Sequence, residues 1–260
     1  MRILIILTIG LITLSTANAQ FKRPPPSPIA QKIQAAIHSE VRSDADKARD
    51  ENRKPVQTLE FFGLEEDMRV LELVPEGGWY TKILAPVLAD KGQLYLAIGT
   101  RQLGDLLERS PALGKAKVLP LKVSFEPTEH RGIFKLGEFT LGVEDIDLAL
   151  TFRNLHNFDE PSQQHIHQAV FEALKPGGRY GIIDHTRRHN EPFATERWRR
   201  LDPVTVIRQV EQAGFEFVDS SDLHYRPDDE LRYDTTRKTV RHNSDRFVLL
   251  FQKPLNDKDQ

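Results

Sequence analysis

The sequence predicts an α/β fold with a mostly parallel sheet and helices on both of its faces. Three observations predict it. Short apolar runs alternate with amphipathic stretches from Arg69 onward. Turn residues punctuate the changes of period, as at Gly63, at Lys175-Pro176-Gly177-Gly178 and at Gly214. Repeated β-α-β units join parallel strands through right-handed crossovers, so the carboxyl ends of the strands share one edge, where ligands bind.

The elements follow in chain order. Met1-Arg2, the apolar run Ile3–Leu14 and Ala17-Asn18-Ala19 have the three parts of a secretory signal peptide. The run is shorter than the roughly 20 residues of a membrane-spanning helix. Residues 1–19 are therefore expected to be removed, leaving a periplasmic or secreted chain that begins at Gln20 and keeps no stable membrane anchor. Residues 20–28 are proline-rich and read as a stiff linker. An N-terminal helical segment, 29–54, has apolar residues Ile29, Ile33, Ala36 and Ile37 at helical spacing, then Ser43 as the N-cap of a second helix. The charges from Asp44 to Arg53 read as a solvated helix face or, with Arg23–Pro28, as a docking arm. Val56–Phe62 is a short helix.

The main domain spans 55–254 and a tail 255–260. Strands are expected at Arg69–Val74, Gln93–Ile98, Lys117–Leu121, Ile146–Phe152 and Arg179–Asp184. Helices are expected at Trp79–Ala89, Leu103–Arg109, Ser162–Leu174 and Pro203–Ala213, the last with Asp202 as N-cap and Gly214 past its end. Phe215–Ser220 and Arg246–Gln252 are two closing strands.

Composition removes several function classes. Lys+Arg is 36 against Asp+Glu 38, a net charge of -2, so no basic excess exists to hold nucleic acid. Cysteine is absent, which excludes disulfides, thiolate zinc sites and cysteine nucleophiles. His165 and His167 lie two apart on a helix and face different ways, so no metal site is expected there. The expected partner is a small-molecule ligand or substrate.

Glu72-Leu73-Val74-Pro75-Glu76-Gly77-Gly78-Trp79-Tyr80-Thr81 joins the first strand to its helix. A carboxylate, a glycine turn and a helix start suit a nucleoside ligand, because glycine lets it approach the backbone and helix N–H groups hold its polar atoms. The segment resembles the first motif of class I S-adenosylmethionine-dependent methyltransferases, with Glu72 at the acid position and Gly78 at the last glycine. Val74 and Glu76 stand where that family has its other two glycines. The stretches Asp147–Asn157 and Lys175–Asp184 look like the family's fourth and fifth strands. More narrowly, Arg49-Asp50-Glu51-Asn52-Arg53-Lys54-Pro55 and the Gly-Gly-Trp-Tyr-Thr turn look like an exported branch of predicted methyltransferases.

The resemblance implies a Rossmann-like sheet closed by an antiparallel C-terminal pair, S-adenosylmethionine as cofactor and an unknown methyl acceptor. It puts Glu72, Gly77, Gly78, Tyr80, Thr81, Thr100 and Arg153 at the cofactor. Arg153, Asn154, His156 and Asn157 leave an apolar strand at the ligand edge. An unperturbed histidine has a pKa of about 6.5, so His156 is the candidate general base. Asn154, Asp184 and His185 are the other catalytic candidates. The same groups read otherwise as a capped, salt-bridged loop. Strand two ends in Ile98-Gly99-Thr100, with no acid for the ribose. With Val74 and Glu76, this predicts a dissociation constant for S-adenosylmethionine of about ten micromolar or worse. The alternative expectation is a protein that keeps the fold and binds a small ligand without transferring methyl.

Overall fold

The computed structural model describes residues 25–256. The signal-peptide reading of residues 1–19, and residues 20–24 of the proline-rich stretch, lie outside them. Helix α1 is Pro28–Ile37. It starts earlier than a linker to residue 28 allows, because the Ser27 hydroxyl accepts from Ala30 N at 3.0 Å and Pro28 takes the first helical position, where no N–H is needed. Its apolar stripe of Ile29, Ile33, Ala36 and Ile37 is buried in the core.

The charged run is two short helices, α2 (Asp44–Lys47) and α3 (Asp50–Arg53), followed by α4 (Pro55–Phe61). Ser43 and Asp46 form a reciprocal capping box. The run is not a fully solvated face. Arg42 and Arg53 are buried, and their guanidinium carbons lie 4.8 and 4.4 Å from the centre of the Trp79 ring. The Trp79 indole N–H donates to Asp46 O at 3.0 Å. Charge on this segment is therefore spent on clamping it to the domain.

The domain continues as β1 (Arg69–Leu73), α5 (Thr81–Leu88), β2 (Gln93–Ala97), α6 (Gly104–Arg109) and β3 (Lys117–Val118). A two-stranded antiparallel unit, β4 (Phe125–Pro127) with β5 (Phe134–Leu136), comes next and was not expected. Then follow β6 (Ile146–Phe152), α7 (Glu160–Ala173), β7 (Leu174–His185), α8 (Pro203–Gln212), β8 (Glu216–Ser221) and β9 (Arg246–Gln252). Asp159, not a residue within the expected helix, caps α7 by accepting from Ser162 N at 3.1 Å.

The main sheet has seven strands in the order β3-β2-β1-β6-β7-β9-β8. Strands β3 to β7 in that row run parallel, and β9 lies antiparallel between β7 and β8. Alternate residues face opposite sides, as the period of a strand requires. Leu71, Leu73, Ala149 and Ile182 pack toward α7 and α8, and Val70, Leu148, Leu150 and Ile183 pack toward α1, α4 and α5. The chain steps outward from β1 to β3 and returns to β6 on the other side of β1. That reversal opens a crevice at the carboxyl ends of β1 and β6, the usual ligand position in open α/β sheets.

Candidate functional site

The residue that follows each of three parallel strands is left-handed: Val74 after β1 (φ 50°), Ile98 after β2 (φ 61°) and Arg153 after β6 (φ 61°). For β-branched side chains this conformation is a strained outlier. Strain of this kind, about 1–3 kcal/mol per residue, persists where the surrounding structure imposes it, and it clusters at ligand sites. The turn after β1 goes further. Val74, Glu76 and Gly78 have φ of 50°, 48° and 71°, so all three motif positions hold the backbone that glycine adopts freely. Two of them do so with a side chain attached.

A cavity of about 260 Å³ lies over this turn. Its walls include Glu72, Gly77, Trp79 and Tyr80 from the β1–α5 connection, Arg153 and Asn154 after β6, and Asp46, Arg49 and Arg53 from the N-terminal helices. Tyr80 stacks on Phe152 with ring centres 3.6 Å apart and planes 11° from parallel. Glu72 is 2% exposed and accepts from the Thr81 hydroxyl at 2.6 Å. Burial pushes its carboxyl up to about 7, against the lowering effect of that hydrogen bond.

Three guanidinium groups meet at this cavity with no carboxylate partner among the described residues: Arg49, Arg53 and Arg153. Burial lowers the pKa of Arg49 and brings that of Arg153 down to about 10, with Arg49 adding its own repulsion to Arg153. Arg246 is brought down to about 9 by burial and by the nearby Arg153. Asp46 is already paired with Lys82 at 2.7 Å. The cavity thus sets three guanidinium groups beside the Glu76 carboxylate, which makes no ion pair among the described residues.

The expected site residues separate into two groups. Glu72, Gly77, Tyr80, Arg153 and Asn154 line the cavity. Thr81 is fully buried behind Glu72, and Gly78 supports the turn, where an added Cβ would lie 2.8 Å from the Leu103 side chain. Thr100 starts a short 3-10 helix after β2 and does not line the cavity. Asn154 has its polar atoms engaged: its amide donates to Val74 O at 2.8 Å and Phe152 O at 3.1 Å, which ties the β6 loop to the end of β1. The N-terminal arginines were missed as site residues. Their signal was present in the Arg-Asp-x-x-Arg-x-Pro stretch, but charge alone pointed to solvent.

His156, Asp184 and His185 come together on the far side of the β6 loop. His156 Nδ1 lies 2.6 Å from Asp184 Oδ1, and the two ring centres of His156 and His185 are 5.5 Å apart. Asp184 is fully buried and also accepts the backbone N–H groups of His156 and His185. A carboxylate only accepts, so Nδ1 of His156 carries a proton, and the neutral form of the ring is the tautomer with its lone pair on Nε2. His185 is held well below the usual histidine range by burial and by surrounding positive charge, and it bonds Ser244 Oγ at 2.9 Å. His167 is buried beside Tyr180 while His165 is exposed.

No protein-family profile matches the chain, and no curated protein does. The fold has many solved counterparts. A SAM-dependent methyltransferase from Aquifex aeolicus is similar with a TM-score of 0.53 and 17% identity, over 86% of this chain and 97% of that one. This is the Rossmann-like methyltransferase fold. The cyclase SpnF shares it at a TM-score of 0.55 and 16% identity, over 88% of this chain and 94% of its own. The CcbJ methyltransferase from Streptomyces caelestis does so at 0.52 and 12%, over 79% and 90%. One methyltransferase fold thus carries enzymes with different names, and the activity has to be argued from the site.

Proposed function

We propose that this chain is an exported S-adenosylmethionine-dependent methyltransferase acting on a small molecule. The observation that carries the reading is the β1 turn. Glycine-type backbone at Val74, Glu76 and Gly78 is retained at a cost in strain, beside a cavity at the topological switch point. The residues present fit the amino-acid end of the cofactor. Arg49, Arg53 and Arg153 lack an anionic partner and match its carboxylate, while the stacked Tyr80 and Phe152 rings and the Glu76 carboxylate suit a cation.

Bound there, S-adenosylmethionine supplies a methyl group already activated on a sulfonium. The protein then has to align the acceptor and remove a proton. The Asn154 clamp fixes the β6 loop against β1, and Asp184 holds the His156 ring with Nε2 as a base.

Calorimetric titration with S-adenosylmethionine tests the proposal. The expected dissociation constant is about ten micromolar or weaker, since no ribose acid follows β2. No heat at millimolar cofactor contradicts the reading. Submicromolar affinity contradicts the weight placed on Val74, Glu76 and the missing acid.

One observation favours a second reading, a binding protein without transfer. The cavity, at about 260 Å³, is smaller than the ~300–1,000 Å³ typical of ligand sites, and Thr100 stands outside it. A small carboxylate that binds more tightly than S-adenosylmethionine supports this alternative.

Export rests on Met1–Ala19. Intact-mass measurement of protein recovered outside the cytoplasm is expected to give a chain beginning at Gln20. Retention of Met1–Ala19 contradicts it.

A further inference from the structure

A second, larger cavity of about 580 Å³ lies on the other side of the β6 loop; Arg49, Arg53 and Arg153 do not line it, whereas Arg187 and Arg200 do. It falls within the ~300–1,000 Å³ range of small-molecule sites. The unexpected β4–β5 unit, the segment before α8 and α8 itself build it, and His156 lies in its wall. Three observations define what it would hold.

Aromatic rings stand among charged and polar side chains in the walls. Trp198 sets its ring edge-on to His156 with centres 5.6 Å apart, and Phe158 and Phe193 line the same space. Gly132 makes room for Trp198: its φ is 89°, and an added Cβ would lie 2.4 Å from the indole. A flat ring matches such walls better than a flexible chain.

Gln209 is the second observation. It lines the cavity and is 9% exposed, yet its Oε1 has no hydrogen-bond partner among the described residues. Buried side-chain acceptors are normally paired, and an orphan in a cavity wall asks for a ligand donor. His156 is the third. Asp184 holds its Nδ1 proton, so the ring atom left for a ligand is Nε2, an acceptor in the neutral ring. Two acceptors in an aromatic-walled cavity require donors on a planar molecule.

We infer that this cavity binds a planar aromatic compound carrying at least two O–H donors, one facing His156 Nε2 and one facing Gln209 Oε1. The binding step stands apart from the cofactor reading.

The chain has two tryptophans, and each cavity owns one, Trp79 in the arginine-lined site and Trp198 here. In a W79F background the emission of Trp198 therefore reports the second cavity alone. The probes are 2,7-dihydroxynaphthalene and its dimethyl ether, which keeps the shape and lacks the donors. The diol is expected to quench Trp198 and to bind about fivefold more tightly than the ether. Gln209→Leu should weaken the diol by a similar factor and leave the ether within about twofold. Because Gln209 makes no side-chain hydrogen bond within the protein, this variant is expected to fold, and circular dichroism checks it.

Equal affinity for diol and ether overturns the inference. So does unchanged diol binding in Gln209→Leu, or no diol binding at millimolar concentration. The assay contains no S-adenosylmethionine, so its outcome is separate from that of the cofactor titration, which Trp79 reports in a W198F background.

Discussion

His156 Nδ1 donates to Asp184 Oδ1 across 2.6 Å, linking the loop after β6 to the end of β7. The carboxylate is fully buried and holds two backbone N–H groups as well. It therefore orders the loop and fixes the imidazole tautomer together. Asp184→Asn keeps the shape and replaces a charged acceptor by an amide whose NH2 meets N–H donors. The expected loss of stability is about 1.5–3 kcal/mol, the range for hydrogen bonds to charged groups. Urea unfolding measures the loss. Nitrogen NMR shifts of His156 should show a mixed tautomer in the variant and a single one in the parent.

Glu72 gives a pH dependence whose sign is fixed by burial. Its carboxyl sits at about 7 in the folded protein against 4.5 ordinarily. Between those values the unfolded chain has released the proton and the folded chain keeps it, so stability falls as pH rises. The integrated loss is about 3 kcal/mol, complete above pH ~7. Glu72→Gln removes this dependence. The urea midpoints of parent and variant should diverge from pH 5 to pH 8, with the variant the more stable at pH 8. Parallel profiles contradict the burial argument.

Glu76 occupies a glycine-type conformation with its side chain exposed. Glu76→Gly releases roughly 1–2 kcal/mol of left-handed strain and gives back about 0.5–1 kcal/mol in backbone entropy. The expected net gain is about 0.5–1 kcal/mol. The gain should appear as a higher unfolding midpoint, and a lower midpoint counts against strain in this turn.

Arg53 is 5% exposed, has an unpartnered Nε and lies over Trp79. Truncation in Arg53→Ala loses a desolvated cation–π contact of about 2 kcal/mol. Trp79 emission should shift to the red as solvent enters. Arg53→Lys is expected to recover little of this, because an ammonium cannot stack its plane on the indole.

Apolar pattern made most of the fold legible. The runs at Val70–Leu73 and Ile146–Phe152 are central strands, and Asp202 with Gly214 brackets α8 as capping chemistry requires. The β4–β5 unit escaped because its strands are three residues long and Phe125 and Phe134 are exposed, leaving no alternation to read. Arg42 and Arg53 escaped because a buried guanidinium looks like any surface charge until its aromatic partner is placed beside it. The pairing of His156 with Asp184 was open to the eye only as two polar strand ends. Parallel pairing of β6 with β7 turns them into neighbours.

The place of β9 has a consequence for biosynthesis. Arg246–Gln252 is made after every other strand of the sheet, yet among the described residues it supplies the only sheet partner of β8, and it covers the outer edge of β7. Until it arrives, β7 presents an open row of amide and carbonyl groups, and β8 has no strand to join. The nascent polypeptide thus lacks a complete sheet until β9 is made, and completion waits on contacts of long sequence separation. The proposed export would gain from that delay, because the strand that locks the sheet is the last of its strands to follow the thread.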